Sequence, residues 1–304
     1  MSLPSDPWAL READFPSSGL LDDQLRFLVR YAVLAPSFRN LQPWRFEVGG
    51  GRIALYADLG RRSRKADLRL RDLYISLGCA LENLLLAAER FGLDHEVDYF
   101  PLCEEDELVA QARFTALGGR APRPAALLQA VTRRHTQHGR YAGRAIEAAV
   151  LAELRGCAGE AGLSLMLTQD DPIRRAVAGM LARAGSIAAA RPEYRRELEE
   201  SIAAGSFDAP GPQNTPTFGM IGAEKGGRVA QVRAGRVLER LYLAAAMRGI
   251  SVQPMSVLLE FEEVTALLRR MFRAAGVPLL PLRLGYAEKP ARPTPRRALE
   301  EVLR

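Results

Sequence analysis

Apolar residues recur at helical spacing along residues 22–35, where Leu25 and Leu28 share one face with several alanines. Pro36 follows directly, and we predict that the helix ends there because a proline forces its predecessor out of helical geometry. Residues 44–58 then alternate apolar and polar side chains around three glycines, which predicts a strand, a tight turn and a second strand. The chain therefore opens with a helix and a hairpin.

The same patterns predict most of the remaining elements. A nearly all-apolar stretch that ends at Gly92 predicts a long helix buried on most of its faces. Further strands are predicted at 95–100, 108–117, 163–169 and 278–286. Helices are predicted at 66–91, 171–188, 230–248 and 260–275. One more helix should begin near residue 145, and a charged helical stretch should end near residue 203. Residues 118–125 are rich in glycine and proline, and we interpret them as a linker. Residues 205–227 are similarly rich in these residues and have the composition of a loop.

Two of the predicted helices repeat each other. Residues 77–93, LGCALENLLLAAERFGL, align without gaps with residues 234–250, AGRVLERLYLAAAMRGI. The matched positions include two glycine pairs and a glutamate pair: Gly78 with Gly235, Glu82 with Glu239, and Gly92 with Gly249. Two equivalent buried helices indicate a fused pseudo-dimer in which each copy packs on the other. Chance similarity between two helices rich in alanine and leucine is the alternative.

Composition narrows the class of protein. The chain has 304 residues and a net charge of +6, with 42 lysines and arginines against 36 aspartates and glutamates. No block of like charges marks a nucleic-acid-binding arm, and the excess suits an anionic small molecule at least as well as a nucleic acid. The three cysteines show no zinc spacing. The start of the chain lacks the layout of a signal peptide, and the longest apolar run is too short and too polar to span a bilayer. We therefore predict a cytoplasmic protein without nucleic-acid or membrane partners.

One short segment is more specific than the composition. Residues 35–46, APSFRNLQPWRF, place two prolines, a serine, an asparagine and a glutamine between the first helix and the first strand. The segment resembles the PSxxNxQPW motif of the nitroreductase superfamily, and the helix at 77–93 is similar to the long helix of that family's dimer core. RRHTQHGRY at 133–141 resembles the family's RRSxRxF segment, and RLGYAEKPARPTPRRALEEVL resembles its C-terminal ending. With two copies in one chain, the sequence resembles the tandem, Acg-like branch.

The resemblance implies a fold, a cofactor and an activity. We expect an α+β protein made of two degenerate nitroreductase-like repeats, residues 1–118 and 119–304, fused into an intrachain pseudo-dimer. Such a chain would work as a monomer, and further homo-oligomerisation stays open. FMN is expected at the interface, with NAD(P)H as electron donor and a small organic molecule as acceptor. Since the flavin carries the electron chemistry, no side chain is assigned as catalytic.

By this resemblance, the first half holds the ribityl and phosphate part of FMN. The expected contacts come from Pro36, Ser37 and Asn40, while Gln42 and Trp44 brace the turn and the strand that follows. The prolines fix the backbone, so that little ordering entropy is lost on binding. The alternative is a helix-to-strand turn with incidental polar residues.

The second half supplies the arginine segment. By resemblance, Arg134 and Thr136 take the places of the family's first arginine and serine, and His138 falls where a second basic side chain is usual. A mostly neutral histidine would stabilise an anionic reduced flavin less than an arginine does. His135 and His138 also form HxxH, but no third ligand is near in sequence, so we expect no metal.

The remaining expected contacts lie towards the C-terminus. A guanidinium group binds phosphate in a bidentate way, so a phosphate clamp is expected from Arg283, Arg296 and Arg297. A solvated charge cluster is the alternative. By resemblance, the flavin ring is lined by the segment Pro254, Met255 and Ser256.

Two loops and two missing pieces complete the hypothesis. GRRSRK at 60–65 matches the arginine–serine spacing but follows the hairpin, so we interpret it as a basic surface loop. The stretch 204–228 predicts a lid over the flavin, with disorder as the alternative. The second half lacks the proline–asparagine piece and the first half lacks the arginine piece, so we expect one FMN per chain.

Two functions remain open from the sequence. One is an FMN-dependent NAD(P)H oxidoreductase of nitroreductase type. The other is an FMN-binding storage or sequestering protein with little or no turnover, an alternative that the long predicted lid and His138 keep open.

Overall fold

The computed structural model of the chain describes residues 6–67, 69–102, 107–118, 125–203, 216–260, 262–271 and 276–304. These residues form two four-stranded sheets and a set of helices, an α+β fold with two repeated halves, as predicted. Within these ranges, no helix combines the length and the apolar character that crossing a bilayer requires.

The first half contains one sheet and the first long helix. Its elements are α1 (Leu21–Ala32), β1 (Trp44–Gly49), β2 (Arg52–Ala57), α2 (Arg71–Arg90), β3 (Leu93–Tyr99) and β4 (Leu108–Ala116). The strand order is β1-β2-β4-β3, and all neighbouring strands are antiparallel. The helix α2 therefore connects the inner strand β2 to the edge strand β3.

The second half repeats this order with additions. Its elements are α3 (Ala125–Arg133), α4 (Ala148–Arg155), β5 (Leu163–Thr168), α5 (Asp171–Ala189), α6 (Pro192–Ala203), β6 (Thr217–Ala223), α7 (Arg228–Met247), β7 (Ser251–Pro254), α8 (Glu262–Met271), β8 (Val277–Gly285) and α9 (Leu299–Val302). The strand order is β5-β6-β8-β7, again antiparallel. Each half also has a register shift in its second strand, at Leu55/Tyr56 and at Ile221/Gly222. The repeat is therefore present in the fold as well as in the sequence.

The halves join through α2 and α7, the two helices that repeat in the sequence. They approach each other where Gly78 faces Gly235. A Cβ on Gly78 would collide with the carbonyl of Val232, and a Cβ on Gly235 would collide with the carbonyl of Ile75. The two blocking carbonyls lie at equivalent positions, three residues before each glycine, so the pseudo-twofold axis passes between the glycines. Only glycine permits this close approach of two backbones.

The start of α2 differs from its predicted start at residue 66. Asp67 accepts hydrogen bonds from the backbone N–H groups of Asp72 at 3.2 Å and Leu73 at 2.8 Å. Its carboxylate therefore satisfies the free donors of the first turn, and the helix begins at Arg71. At the other end the helix closes before Gly92, whose φ of +83° suits the predicted C-terminal position.

The halves differ in the connection between their first two strands. β1 and β2 are joined by a tight turn at Gly50 and Gly51, which both have positive φ. The same connection between β5 and β6 carries the helices α5 and α6, which we call the insert. The helix α8 is likewise added between β7 and β8.

The C-terminal tail crosses from the second half to the first. Leu303 pairs with Phe46 parallel to β1, and the Arg304 N–H donates to the Phe46 carbonyl at 2.8 Å. The tail thereby covers an edge strand that would otherwise present unpaired backbone groups. It also carries residues 294–297 to the loop that follows α1.

The prediction of a lid is wrong for residues 217–223. Residues 217–223 form β6, a fully buried inner strand, although glycines gave this stretch the composition of a loop. Gly219 is needed there because a Cβ would press on Leu167 and Leu282 of the flanking strands. The sequence patterns also do not predict α3, β7 and α9.

Two further predictions fall on residues that the structure does not describe. Residues 204–215 of the predicted lid and 119–124 of the predicted linker lie outside the described ranges. The boundary between residues 118 and 119 therefore stays a prediction.

Candidate functional site

The loop that follows α1, residues 36–43, has an unusual backbone. Arg39, Asn40 and Gln42 have φ angles of +48°, +56° and +51°, a region that side chains rarely adopt. Within the described ranges only two other non-glycine residues share it. The Ser37 hydroxyl supports this shape by accepting the backbone N–H of Gln42 at 2.9 Å. Strained backbone of this kind clusters at functional sites.

Gln42 and Arg297 brace the loop against the C-terminal tail. The Gln42 side-chain oxygen accepts the Arg297 backbone N–H at 2.8 Å. The Arg297 guanidinium donates to the carbonyls of Gln42 and Trp44 at 3.1 Å each, and Trp44 is fully buried at the start of β1. Gln42 and Trp44 therefore take part in the predicted bracing, and Arg297 shares it.

Two arginines from the second half converge on the carbonyl of Leu34. Arg134, which follows α3, donates to it at 3.0 Å, and Arg296 donates to it at 3.2 Å. Arg296 also donates to the Asn40 side chain at 2.8 Å, and the Asn40 amide donates to the Pro295 carbonyl at 2.9 Å. The structure thus brings together three predicted site residues from three separate segments. Pro36, which is buried, lies two residues after the shared carbonyl.

Arg134 and Arg296 carry hydrogen-bond donors that the protein does not use. The Nε atom of each is shielded from solvent and has no hydrogen-bond partner among the described residues. Burial and the adjacent charge of Arg134 lower the pKa of Arg296 to about 9, well below the usual range of an arginine. Adjacent shielded cations with unused donors favour an anion with several acceptor oxygens.

One carboxylate faces these arginines from α7. Glu239 is completely buried, and its Oε1 lies 3.7 Å from the Nε of Arg134, which is too far for a hydrogen bond. In the described part of the chain, neither oxygen of Glu239 has a hydrogen-bond partner of good geometry. Burial raises the pKa of Glu239 to about 7, against the opposing effects of Arg134 and the nearby Asn83 amide. We call Asn40, Arg134, Arg296 and Glu239 the Arg134 end of the helix pair.

The rest of the arginine segment lies beside β7. Thr136 shares a hydrogen bond of 3.0 Å with the Tyr242 hydroxyl. Nδ1 of His138 lies 3.0 Å from the Gln253 amide nitrogen, and the Gln253 oxygen accepts Arg283 at 2.6 Å. His138 and Arg283 are therefore linked to each other through Gln253.

The two histidines of the HxxH pattern have separate partners. The His135 ring packs edge-on against Trp8 with 4.8 Å between ring centroids, whereas His138 contacts β7. Burial and the charges of Arg134 and Arg296 lower the pKa of His135 to about 4, so that this ring is neutral at pH 7. Across the residues that the structure describes, no group of three His, Cys, Asp or Glu side chains is placed to hold a metal ion.

The predicted ring-lining segment lies at the end of β7. Pro254 pairs with β8, and Met255 is buried in a small core together with side chains of β6 and the insert. Ser256 is held from the first half, because its hydroxyl donates to Asp72 at 2.9 Å and its carbonyl accepts from Arg71 at 3.2 Å. The first turn of α2 therefore positions this segment across the interface.

A cavity of about 370 Å³ borders the arginine segment. Arg134, His135 and Tyr242 line it, together with small and apolar residues at the start of β7 and at 286–291. Arg133, which is exposed, also lies in its wall. The cavity therefore extends from the side chain of Arg134 to the surface.

The opposite end of the helix pair has a different arrangement. Glu82, the counterpart of Glu239 in the repeat, accepts Arg236 at 2.8 Å and Arg240 at 2.7 Å. Glu160, in the loop after α4, accepts Arg240 at 2.6 Å. Burial pushes the pKa of Glu82 up, but the hydrogen bond from Arg240 and the charge of Arg236 hold it below its usual value. We call Glu82, Glu160, Arg236 and Arg240 the Arg240 end.

Aromatic side chains fill the neighbourhood of the Arg240 end. The repeat matches Tyr99 with Ser256, and the Tyr99 hydroxyl accepts Arg236 at 2.7 Å. Phe100 packs edge-on against Tyr74 at 5.7 Å and lies under the guanidinium of Arg228 at 4.6 Å. The place where the second half has a serine is therefore occupied by bulky rings in the first.

The insert is fastened to the first half beside the strained loop. Glu197 of α6 accepts hydrogen bonds from Arg39 and from Ser63, both at 2.9 Å. Lys65 pairs with Glu193 at 2.8 Å. Ser63 and Lys65 belong to GRRSRK, which we predicted as a surface loop; Ser63 is in fact buried, and the segment is a docking point for the insert.

The fold and the sequence both match known proteins. No family model matches the chain. The chain is 26% identical over 318 residues to the "Putative NAD(P)H nitroreductase Rv3131" of Mycobacterium tuberculosis, covering 92% of this chain and 91% of that protein. It is 24% identical over 327 residues to the "Putative NAD(P)H nitroreductase acg" of the same organism, covering 94% of this chain and 97% of that protein.

A solved structure supports the same resemblance. A putative nitroreductase from Anabaena variabilis superposes with a TM-score of 0.62 over 93% of this chain and 91% of its own, at 9% sequence identity. At this identity the match shows the fold alone. The chain therefore has the nitroreductase fold, and along almost its whole length it resembles the Acg-like proteins.

Proposed function

We propose that this chain, with its nitroreductase fold and its resemblance to Acg-like proteins, is an FMN-binding oxidoreductase that passes electrons from NAD(P)H to a small organic acceptor. The observation that carries the proposal is the convergence of Arg134 and Arg296, with unused shielded donors, beside Asn40 of the strained loop. The names of Rv3131 and Acg support it, because both proteins carry the name "Putative NAD(P)H nitroreductase".

The residues at the Arg134 end fit FMN. Its phosphate needs paired cations with free N–H donors, which Arg134 and Arg296 supply. Ser37, Asn40 and Thr136 offer short polar side chains to the ribityl hydroxyls. When bound, FMN would supply the acceptance of hydride from NAD(P)H and its delivery as electrons.

Other predicted residues have supporting roles in this proposal. Arg297 acts on FMN through the loop that it braces, where its Nη1 atom donates to the carbonyls of Gln42 and Trp44. Its Nε is shielded and lacks a hydrogen-bond partner among the described residues, as in Arg134 and Arg296. Arg283 acts through Gln253 and His138. Pro254, Met255 and Ser256 present backbone to the flavin ring, held in place by Arg71 and Asp72.

We further propose that each chain binds one FMN. At the Arg134 end the Nε atoms of two adjacent arginines have no hydrogen-bond partner among the described residues, whereas at the Arg240 end Glu82 and Glu160 accept the donors of Arg236 and Arg240. The neighbouring Arg233, which also has an unpaired Nε, lies 4.0 Å from the carboxylate of Glu160. Tyr99 and Phe100 occupy the positions that correspond to Ser256 and Val257. The second cofactor position of the pseudo-dimer is thus filled by side chains of the protein itself. Since both sides of the interface lie in one chain, a monomer is sufficient to form the site.

A storage or sequestering function is the second candidate. It is favoured by the contacts of Glu197 with Arg39 and Ser63, which fasten the insert beside the proposed FMN loop. A tightly fastened insert would restrict access of NAD(P)H to a bound flavin.

Reduction of the bound flavin separates the two functions. We expect the purified protein to show the visible spectrum of FMN, and NADPH or NADH to bleach it within seconds in a stopped-flow experiment without oxygen. The variants Arg134→Ala and Arg296→Ala should retain less FMN. A bound flavin that neither nucleotide reduces would support storage, and a protein that binds no FMN would contradict both functions. A cytoplasmic location and the absence of nucleic-acid partners stay predictions.

A further inference from the structure

Glu239 has no role in the proposed binding of FMN, yet it lies against the arginines of the site. Its carboxylate is completely buried, 3.7 Å from Nε of Arg134. The described residues give its two oxygens no hydrogen-bond partner of good geometry. Burying a carboxylate in this way is costly unless it has a compensating partner. Packing alone therefore does not explain why a carboxylate is buried at this position.

The repeat supplies an internal reference for this position. Glu82 occupies the equivalent place on α2, and it accepts hydrogen bonds from Arg236 and Arg240 at 2.7–3.1 Å. A purely structural glutamate at this position of the helix pair can thus be fully satisfied by the protein. Glu239 is left with a looser contact to an arginine that we assign to an anionic ligand.

We propose that Glu239 is the resident counter-ion of Arg134: it balances the arginine in the flavin-free protein and takes up a proton from solvent when the FMN phosphate becomes the partner of Arg134 and Arg296. This inference rests on the proposed binding of FMN. Glu239 is then a positioning residue, because it keeps Arg134 in place without touching the flavin. The cavity lined by Arg134 and Tyr242 gives solvent protons access to the cluster.

The direction of the proton transfer follows from the charges around Glu239. Burial and Glu82 oppose its ionised form, whereas Arg134, the Asn83 amide of α2 and Arg296 favour it; Cys79 also faces it from α2. A phosphate dianion beside Arg134 would offset the favourable positive charge. The carboxylate of Glu239 therefore holds a proton more tightly in the FMN complex than in the free protein. Because its pKa in the free protein is about 7, uptake should be visible above pH 7.

Calorimetry measures this uptake directly. Flavin-free full-length protein is titrated with FMN at pH 8 in two buffers of different ionisation enthalpy, and the difference in heat gives the protons bound. The FMN phosphate is already a dianion at this pH, since the second pKa of a phosphate monoester is about 6. We expect an uptake approaching one proton per FMN in the unmodified protein and loss of most of that uptake in Glu239→Gln.

Two controls separate this role from a general effect on the fold. Glu160→Gln changes a carboxylate at the Arg240 end and should leave the uptake unchanged. His135 and Arg296, whose pKa values are lowered to about 4 and about 9, belong to the same cluster and could also take up a proton, but both are still present in Glu239→Gln. Persistence of the full uptake in that variant would therefore overturn the inference.

The pH dependence of affinity provides a second measurement, which needs no calorimetric signal. In the unmodified protein the Kd for FMN, followed by flavin fluorescence, should rise by up to about tenfold per pH unit above pH 7. In Glu239→Gln it should be nearly flat. Equal slopes would contradict the inference while leaving FMN binding intact. A failure of the unmodified protein to bind FMN would overturn the proposed function, and this inference with it.

Discussion

The two ends of the α2–α7 pair carry glutamates at equivalent positions of the repeat, but these glutamates differ in how they pair with nearby arginines. At the Arg240 end, Glu82 and Glu160 accept the donors of Arg236 and Arg240 within hydrogen-bond distance. At the Arg134 end, Glu239 stays 3.7 Å from its nearest arginine. The repeat therefore preserved the helix pair while the polar groups around it diverged.

The difference separates a structural ion cluster from a candidate ligand site. A buried charge cluster that is satisfied internally contributes to the fold and leaves no donors for a ligand. A cluster with unused donors costs stability unless a ligand satisfies them. In this chain the second kind of cluster coincides with the strained loop at 36–43 and with the fastened insert. The coincidence of these three features at one end is the main argument for a single site.

The largest difference between the two ends should appear in stability. Glu82→Gln would leave Arg236 and Arg240 short of a carboxylate, and we expect the free energy of unfolding to fall by about 3 kcal/mol. Glu239→Gln, the matched substitution, should lower it much less, because Glu239 lies 3.7 Å from Arg134 and makes no hydrogen bond of good geometry with it. Urea unfolding of both flavin-free variants tests the comparison, and equal losses in the two variants would contradict it.

The affinity for FMN should depend on only one end. Arg296→Ala removes a charge-assisted contact to the phosphate, and we expect a loss of about 1.5–3 kcal/mol, or roughly ten- to a hundred-fold in Kd. Arg134→Ala should show a similar loss. Arg236→Ala at the other end serves as the control, and its Kd should match that of the unmodified protein. A comparable loss in Arg236→Ala would remove the distinction between the ends.

The stability of the two ends should also respond to pH in opposite directions. The folded-state pKa of Glu239 is raised to about 7 from an ordinary value of 4.5, so the unmodified protein loses stability as the pH rises between these values. Glu239→Gln should lack this loss and become relatively more stable above pH 7, by up to about 3 kcal/mol. The pKa of Glu82 is lowered, so its contribution is present above pH 4.5 and disappears as the pH falls further. Unfolding midpoints at pH 5 and pH 8.5 check Glu239, and midpoints of the unmodified protein and Glu82→Gln at pH 3 and pH 5 check Glu82. A pH-independent difference between Glu239→Gln and the unmodified protein would be the contrary result.

The smallest expected effect concerns the insert, which is found at only one of the two equivalent hairpins. Glu197→Gln weakens the contacts with Arg39 and Ser63, at a cost of about 1 kcal/mol. We expect a few-fold faster reduction of bound FMN by NADPH, and faster hydrogen exchange in α6. Lys65→Gln, which affects only an exposed ion pair at the same place, should change both much less. Unchanged reduction kinetics in Glu197→Gln would show that the insert does not control access.

Much of the fold is predictable because hydrophobic periodicity carries it. The long helices, both hairpin strands of the first half and the repeat of Gly78 with Gly235 all follow from spacing alone. The strand β6 is not predictable in this way, because Gly219 and Gly222 are selected by crowding from the neighbouring strands and resemble loop residues in the sequence. The start of α2 was also missed, since the cap at Asp67 lies four residues before the helix.

Some residues of the candidate site are likewise predictable from the sequence, and others are not. Asn40, Arg134 and Arg296 could be named because each lies in a motif, and the structure brings them together. Glu239 matched Glu82 in the repeat, but identical residues with different partners give identical sequence signals. Glu160 and Glu197 had no signal, because their roles depend on contacts between segments that are far apart in the chain. Charge pairing across an interface is set by the tertiary fold, and local sequence patterns do not report it.

The stoichiometry of FMN tests the central claim most directly. Flavin-free protein of known concentration is titrated with FMN, and the quenching of flavin fluorescence is followed to saturation. We expect one equivalent per chain, because the Arg134 end has two adjacent arginines with unused donors for a phosphate, whereas at the Arg240 end Glu82 and Glu160 accept the donors of Arg236 and Arg240. Tight binding of two equivalents per chain would contradict the account.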